Sequence, residues 1–524
     1  MATRGPDGQG WASAKEGKFT WALGHQRLAI MDPHPSGDQP FVCDDYALIG
    51  NGEIYNYKSL YESLGLTPQV GVAPTVSESD TEVIKHVYRE HGVDCVSKLD
   101  GMFAFVLVDR QKETFLVARD SIGIKPLYQG ERADGTLMFA SELKCLVDQC
   151  DSIELFPAGH YYTPETGLQR FYAPSWDDDA AEPWDHVTPE LLRSKLSDAV
   201  AKRMMSDVEW GLFLSGGVDS CIVATLIKEH LPPGTTLPSF CVGMEGSPDI
   251  VAARSIAETM GFDHTERLFT AEEACAIIPS VVYHLETYET ELIRSAIPNY
   301  FLAEAASKRV RMVLTGEGSD ELFGGYVYFR DAPSQAMFQG ELRRIFNHLG
   351  LVNLQRADRM TMAHGLEARV PFLDTDFVAH AMRLDPRHKL IGDGPRQREK
   401  AFLRNMFAGE IREEILWRQK AMQCEGVGEG WVAQLQRFCR EQVSDEQMAA
   451  AADMFPINTP QTHEEMYYRL LFNKSYPGLD KFVHAWEGGM RAGGAAWKSS
   501  AYTREGLADV SALTHGLQSG AVGM

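Results

Sequence analysis

The sequence predicts two units of different fold class: an α+β unit with a largely antiparallel sheet, then an α/β unit with a parallel sheet and additional helices. Three observations carry that prediction. The 524 residues exceed a single ordinary domain. Short alternating apolar segments separated by turn signals fill residues 20–172. From residue 191 onward short apolar strands alternate with amphipathic helices, the pattern of parallel β–α–β units.

In the first unit, residues 46–50, 102–108, 114–118, 137–140 and 160–163 read as strands, each a short apolar or alternating run bounded by turn formers. Helical stretches near 57–64 and 80–91 interrupt them. Over 172–187 Pro, Asp, Glu and Trp accumulate, which reads as an acidic linker. The second unit runs helix (191–205), strand (210–214), helix (221–231), strand (237–242), helix (249–260) and strand (310–314). A sheet built this way holds its ligand at the carboxyl ends of the strands. Residues 328–480 read as mostly helical, and the tail from residue 488 is rich in Gly, Ala and Ser. The predicted partition is 1–172, a linker over 173–188, 189–487 and a tail over 488–524.

Composition removes several function classes. The 73 Asp and Glu against 50 Lys and Arg argue against nucleic acid or an anionic membrane as the main partner. None of the nine cysteines forms a CxxC pair or a metal-type cluster, so reduced thiols in a cytoplasmic protein are expected. No apolar run approaches a membrane span, and the N-terminus lacks a signal-peptide pattern.

The most informative segment is Ser215-Gly216-Gly217-Val218-Asp219-Ser220, which lies between a predicted strand and a predicted helix. A strand–glycine turn–helix unit aims free backbone N–H groups and the positive end of a helix dipole at one point, where a phosphate would sit. The paired glycines permit close approach, and Ser215 and Ser220 add hydroxyl donors. Asp219 replaces the lysine of a GxxxxGK[ST] loop, so a divalent cation is expected to neutralise the phosphate. A glycine turn with an ordinary surface Asp is the competing reading. A second acidic glycine motif, Thr315-Gly316-Glu317-Gly318-Ser319-Asp320-Glu321, follows the strand at 310–314 and precedes Phe323-Gly324-Gly325-Tyr326. In a parallel sheet both loops open at one edge, where Asp219 and Asp320 would share Mg2+ bound to a triphosphate.

These blocks resemble glutamine-dependent asparagine synthetase of the B type, from about Arg4 to about Asn473. Ser215–Ser220 is similar to that family's pyrophosphate loop, 239–249 to its adenine and ribose cradle, and 365–374 (GLEARVPFLD) to a further signature. The first-unit blocks 4–7, 23–32, 51–56, 118–128 and 156–159 resemble its glutaminase half. The resemblance implies an αββα Ntn-type glutaminase sandwich, N-terminally truncated, followed by an ATP-pyrophosphatase domain. It implies ATP and pyrophosphate contacts from Leu214, Ser215, Gly216, Gly217, Asp219, Ser220, Val242, Thr315 and Gly316, with Mg2+ on Asp219 and Asp320. Glu317 and Lys420 are implied as catalytic residues, the latter from Trp417-Arg418-Gln419-Lys420; without the resemblance, Lys420 reads as an exposed lysine. Arg27, Asn51, Gly52, Glu53 and Asp80 would bind glutamine, and Arg294 the acyl substrate. The implied reaction activates aspartate with ATP, releases pyrophosphate, and admits ammonia from glutamine or from solution to displace AMP. Small-molecule substrates, without nucleic acid or membrane, are the expected partners; a homodimer is one assembly the resemblance allows, and the sequence does not fix the oligomeric state.

Two departures from the family pattern stand out. The chain begins Met1-Ala2-Thr3, whereas class II glutaminases use a cysteine exposed at the N-terminus as nucleophile. A truncated gene model is favoured over true loss of the cysteine, and the chain as written is not expected to hydrolyse glutamine. Where the family typically reads ETYDVTTIRAST, this chain has ETYETELIRSAI, so Glu291 and Leu292 replace two threonines. Residues 421–428 and His364 depart as well. Loop drift, a different carboxylate substrate and a catalytically silent homologue are the readings these changes leave open.

Overall fold

The computed structural model describes residues 2–67, 77–178, 183–184, 186–391, 398–418, 427–428 and 430–483. The predicted tail and Lys420 lie outside them.

The first unit begins with a hairpin, β1 (Gly8–Glu16) paired antiparallel to β2 (Phe19–Arg27). β3 (Phe41–Val42), β4 (Tyr46–Ile54), β5 (Gly101–Asp109), β6 (Thr114–Arg119), β10 (His160–Thr163) and β11 (Gly167–Arg170) form a six-stranded sheet in the order β11-β10-β6-β5-β4-β3. Its register is antiparallel throughout, as short turn-linked strands favour. A three-stranded sheet holds β7 (Tyr128–Glu131), β8 (Leu137–Ala140) and β9 (Ser152–Leu155).

Side-chain alternation explains the layering. Along β5, Phe103, Phe105 and Leu107 face α1 (Tyr57–Ser63) and α2 (Val83–His91), packing with Tyr61, Val83, Ile84 and Val87. Ala104 and Val108, one residue out of phase, face the other way, onto Leu127 and Phe156 and onto Trp21 and Leu23 of β2. Both faces of β5 are therefore covered, which is why it reads as one apolar run.

The second unit follows α3 (Pro189–Arg203). β12 (Trp210–Phe213), β13 (Pro238–Gly243), β14 (Asp263–Leu268), β15 (Met312–Leu314) and β16 (Glu367–Arg369) form a parallel sheet in the order β14-β13-β12-β15-β16. From β12 the chain winds outward through β13 and β14, then returns to lay β15 on the other side. The order reverses between β12 and β15, which makes their carboxyl ends a topological switch point. α4 (Val218–His230), α5 (Pro248–Met260), α6 (Ala271–Ala276), α7 (Ile278–Leu285), α8 (Thr290–Ser307), α9 (Ser319–Phe323), α10 (Gln335–Asn347) and α11 (Asn353–Met362) clothe the sheet. Leu212, Leu214, Met312 and Leu314 join the α4 side, whereas Phe240, Val242 and Val313 join the α7 and α8 side.

The units share buried contacts. Tyr128, Leu143, Leu146 and Ile153 belong to one apolar cluster with Ile278, Val282 and Leu285. Buried ion pairs cross the boundary: Arg4–Asp358 at 2.7 Å, Lys125–Glu367 at 2.8 Å and Arg369–Glu53 at 2.8 Å. The stretch expected to be an acidic linker is anchored where it is described. Trp176 is buried with its ring perpendicular to Phe346, 5.3 Å between centroids. No described helix is long and apolar enough to cross a membrane.

Candidate active site

The two glycine motifs meet because β12 and β15 are neighbours, with Leu212 opposite Leu314. Gly216, at φ +72°, makes the turn out of the strand; a Cβ there would fall 2.5 Å from the Cβ of Ala252 in α5. No other residue fits that position without moving α5. Gly217 caps α4 in an extended conformation, so the helix starts at Val218 rather than at the predicted 221. Asp219 and Ser220 thus occupy its first turn, where free N–H groups and the dipole favour anions. Ser220 Oγ donates to Gly217 O at 3.0 Å and lies 3.2 Å from Ser215 Oγ, which holds the loop in shape.

A cavity of about 240 Å³ opens at these strand ends. Leu214, Ser215, Gly217, Asp219, Ser220, Val242, Thr315, Gly316, Glu317 and Asp320 all line it, so the sequence-predicted nucleotide residues share one wall. Gly216 lies behind, against α5. α8 (Ser295, Asn299, Leu302) and α11 (Asn353, Arg356, Ala357, Thr361) line it as well.

Lys400 organises the floor. Its ammonium sits 2.6 Å from Asp219 Oδ2 and 2.6 Å from Asp320 Oδ1, with the side chain fully buried. Its backbone is left-handed, φ +58°, a conformation sustained only where surrounding contacts dictate it. Gly325 makes room: a Cβ there would fall 1.9 Å from Asp320 Oδ1 and 2.3 Å from Lys400 Cε. The other oxygen of Asp219 accepts a bond from Ser319 Oγ at 2.7 Å. Two carboxylates from adjacent strand ends are hard donors of the type Mg2+ takes, and here they already share one cation.

Glu317 accepts two bonds from Arg356 Nη2, at 2.7 and 2.8 Å. Behind it Glu321 is buried, bonded by Asn353 Nδ2 at 2.6 Å and the Tyr326 hydroxyl at 2.5 Å. Burial, with Asp320 close by, pushes the Glu321 carboxyl up. Arg418, two residues before Lys420, pairs with Asp249 and donates to Gly216 O at 3.4 Å, tying that segment to the glycine loop at 215–220. Arg294 does not join this group: its guanidinium donates twice to Glu464, at 2.8 and 2.5 Å, and it is not among the residues lining the cavity.

In the first unit, Asn51, Gly52 and Glu53 lie together on β4. Gly52 has φ +129° and runs so close to β5 that a Cβ would meet Met102 O at 1.9 Å. Asn51 Nδ2 donates to Ser141 Oγ at 3.3 Å. Asp80 accepts from Ile54 N at 2.6 Å, and burial pushes its carboxyl up to about 6. Glu53, also driven well above the carboxylate range by burial, pairs with Arg369 of the second unit. Arg27 instead organises the following loop, donating to His34 O at 2.8 Å and to Asp38 Oδ1 at 2.6 Å.

Sequence reasoning missed Lys400, Arg369 as the partner of Glu53, and Arg356. Lys400 lies 181 residues from Asp219, and no motif spacing relates the two. The one available signal was a pair of acids at adjacent strand ends with no local counter-charge.

Comparison with known proteins follows the same division. Residues 1–173 match the family described as "Glutamine amidotransferase domain", and residues 191–343 and 331–488 match "Asparagine synthase". "Asparagine synthetase [glutamine-hydrolyzing] 2" of Oryza sativa subsp. japonica is 42% identical over 489 residues, covering 90% of this chain and 81% of that protein. "Asparagine synthetase [glutamine-hydrolyzing] 3" of Arabidopsis thaliana is 43% identical over 491 residues, covering 90% and 82%. "Asparagine synthetase, nodule [glutamine-hydrolyzing]" of Pisum sativum is 42% identical over 489 residues, covering 90% and 82%. With both halves matched in order and the motif loops meeting in one cavity, the chain belongs to the glutamine-hydrolysing asparagine synthetase family.

Proposed function

We propose that this protein is an ATP-dependent ligase of the cytoplasm that converts aspartate to asparagine, with ammonia from glutamine or from solution. The observation that carries this is the convergence of two glycine-rich acidic loops on one cavity at a sheet switch point. A carboxylate has no good leaving group. Attack of its oxygen on the α-phosphorus of ATP forms the acyl–O–P bond and breaks the bond to the bridging oxygen, releasing pyrophosphate. Ammonia then adds to the acyl carbon, AMP leaves with the C–O electron pair, and the nitrogen loses a proton.

The residue roles follow from charge. Backbone N–H groups of the loop at 215–217 and the start of α4 receive pyrophosphate as negative charge builds on it. Asp219 and Asp320 would hold Mg2+, which when bound supplies neutralising charge to the leaving group. Lys400 holds the two acids together in its absence. Val242, Phe240 and Leu214 supply the apolar wall for the base. Glu317 and Lys420 act on the acyl side, and residues 1–172 form the glutamine-handling unit joined through 173–188 to the synthetase unit over 189–487.

Incubation with MgATP, aspartate and ammonium tests this reading. Asparagine and AMP should form in equal amounts. Intact ATP in protein shown to be folded would refute it.

A further inference from the structure

Among the described residues, three arginines line the cavity: Arg356, Arg404 and Arg418. Arg404 is committed to the backbone and to Glu399, donating to Glu399 O, Leu416 O and Arg418 O and pairing with the Glu399 carboxylate. Arg418 is committed to Asp249 and Gly216 O at the nucleotide end. Arg356 differs. It stands on α11 and lines the same cavity beside Glu317, and its side chain is only 10% exposed. One of its terminal nitrogens holds Glu317. Its Nε is buried and donates to nothing among the described residues. A buried guanidinium donor without an acceptor is costly, so its presence at a cavity wall calls for a ligand oxygen.

An acyl substrate with two carboxylates needs one cation for the group that is not activated. We infer that Arg356, steadied by Glu317, is the anchor for that second carboxylate, the α-carboxylate when the substrate is aspartate. The inference rests on the reading of this cavity as an aspartate-activating site. Planar guanidinium donors match carboxylate geometry, which an ammonium does not reproduce. Glu317 follows Gly316 directly, so the anchor lies next to the loop that carries Asp320. A substrate held by one end at Arg356 would extend its other carboxylate towards the phosphate loops. Arg294, the residue that the family resemblance put on the acyl substrate, is already spoken for by Glu464.

The test compares aspartate with β-alanine, which keeps the carboxylate to be activated and the amine but lacks the α-carboxylate. Pyrophosphate release with MgATP and ammonium gives kcat/KM for each. Wild type should prefer aspartate, and Arg356→Ala should cut that preference by about 10- to 150-fold, the worth of a lost charge-assisted hydrogen bond. The KM for ATP should stay within about twofold, the scatter of a remote change. Arg356→Lys keeps the buried charge and its partner Glu317, so it serves if the alanine variant fails to fold; it too should lose the preference. Equal losses on both substrates would make Arg356 a structural residue and overturn the inference. So would collapse of the preference in Arg294→Ala with Arg356 intact. Folded wild type that releases no pyrophosphate with aspartate would overturn the reading of the site itself, and the inference with it.

Discussion

Replacing Lys400 by Met keeps the length and apolar stem of the side chain and removes only its charge. In the wild type that charge lies 2.6 Å from each of two carboxylates and is fully buried. Removing one member of a buried ion pair costs about 3–5 kcal/mol, because the partner is left charged and unpaired. Asp219 and Asp320 keep 16% and 18% of their side-chain surface, so solvent screens part of the loss and the lower end, about 3 kcal/mol, is expected. At roughly 2–4 °C per kcal/mol for a domain of this order, the melting midpoint should fall by about 6 °C or more in metal-free buffer. Mg2+ at millimolar concentration should recover part of that loss, since a divalent cation can bridge the same two acids. Scanning calorimetry with and without Mg2+ reads both effects. A variant that melts with wild type in metal-free buffer would refute the claim that Lys400 neutralises this pair.

Four further outcomes are expected. Asp219→Ala should abolish pyrophosphate release and leave Lys400 paired with Asp320 alone, while Lys420→Ala should lose turnover with ATP binding kept; near-normal turnover in either removes that residue from the mechanism. Asp80, raised by burial from 3.8 to about 6, holds its proton in the folded state where the unfolded chain has released it, so stability should fall as pH rises from about 4 to 6. The shift corresponds to about 3 kcal/mol, and Asp80→Asn should flatten the pH dependence of denaturant midpoints by that amount; unchanged slopes would count against it. Arg369→Met, at a fully buried guanidinium between Glu53 and Glu367, should cost about 3–5 kcal/mol and separate the unfolding of the two units into distinct transitions, whereas a single wild-type-like transition would show that this pair does not couple them.

Strands with apolar runs were readable, and those without were not. β5 and β13 are buried on both faces and announce themselves. β14, with the sequence DHTERL, pairs only with β13 at a sheet edge and carries no apolar run, so no periodicity marked it. β1, GQGWASAKE, alternates without a fully buried position. β16 is three residues long and exists because Glu367–Arg369 lies beside β15. The predicted start of α4 fell three residues late because the whole hexapeptide through Ser220 reads as a turn, whereas extended Gly217 caps a helix that already begins at Val218.

By itself the sequence determined the two-unit order, the class of each unit, the glycine turn at 215–217 and the pair of acids beside it. Those features reside in local pattern: periodicity, glycine punctuation and carboxylates at strand ends. Only the tertiary structure decided what neutralises those acids, where Glu53 finds its partner, and that Arg356 rather than Arg294 lines the cavity. The reason is physical. Ionic partners are chosen by distance in space and by burial, and the pairs Lys400–Asp219, Arg369–Glu53 and Arg294–Glu464 join segments that no sequence spacing relates.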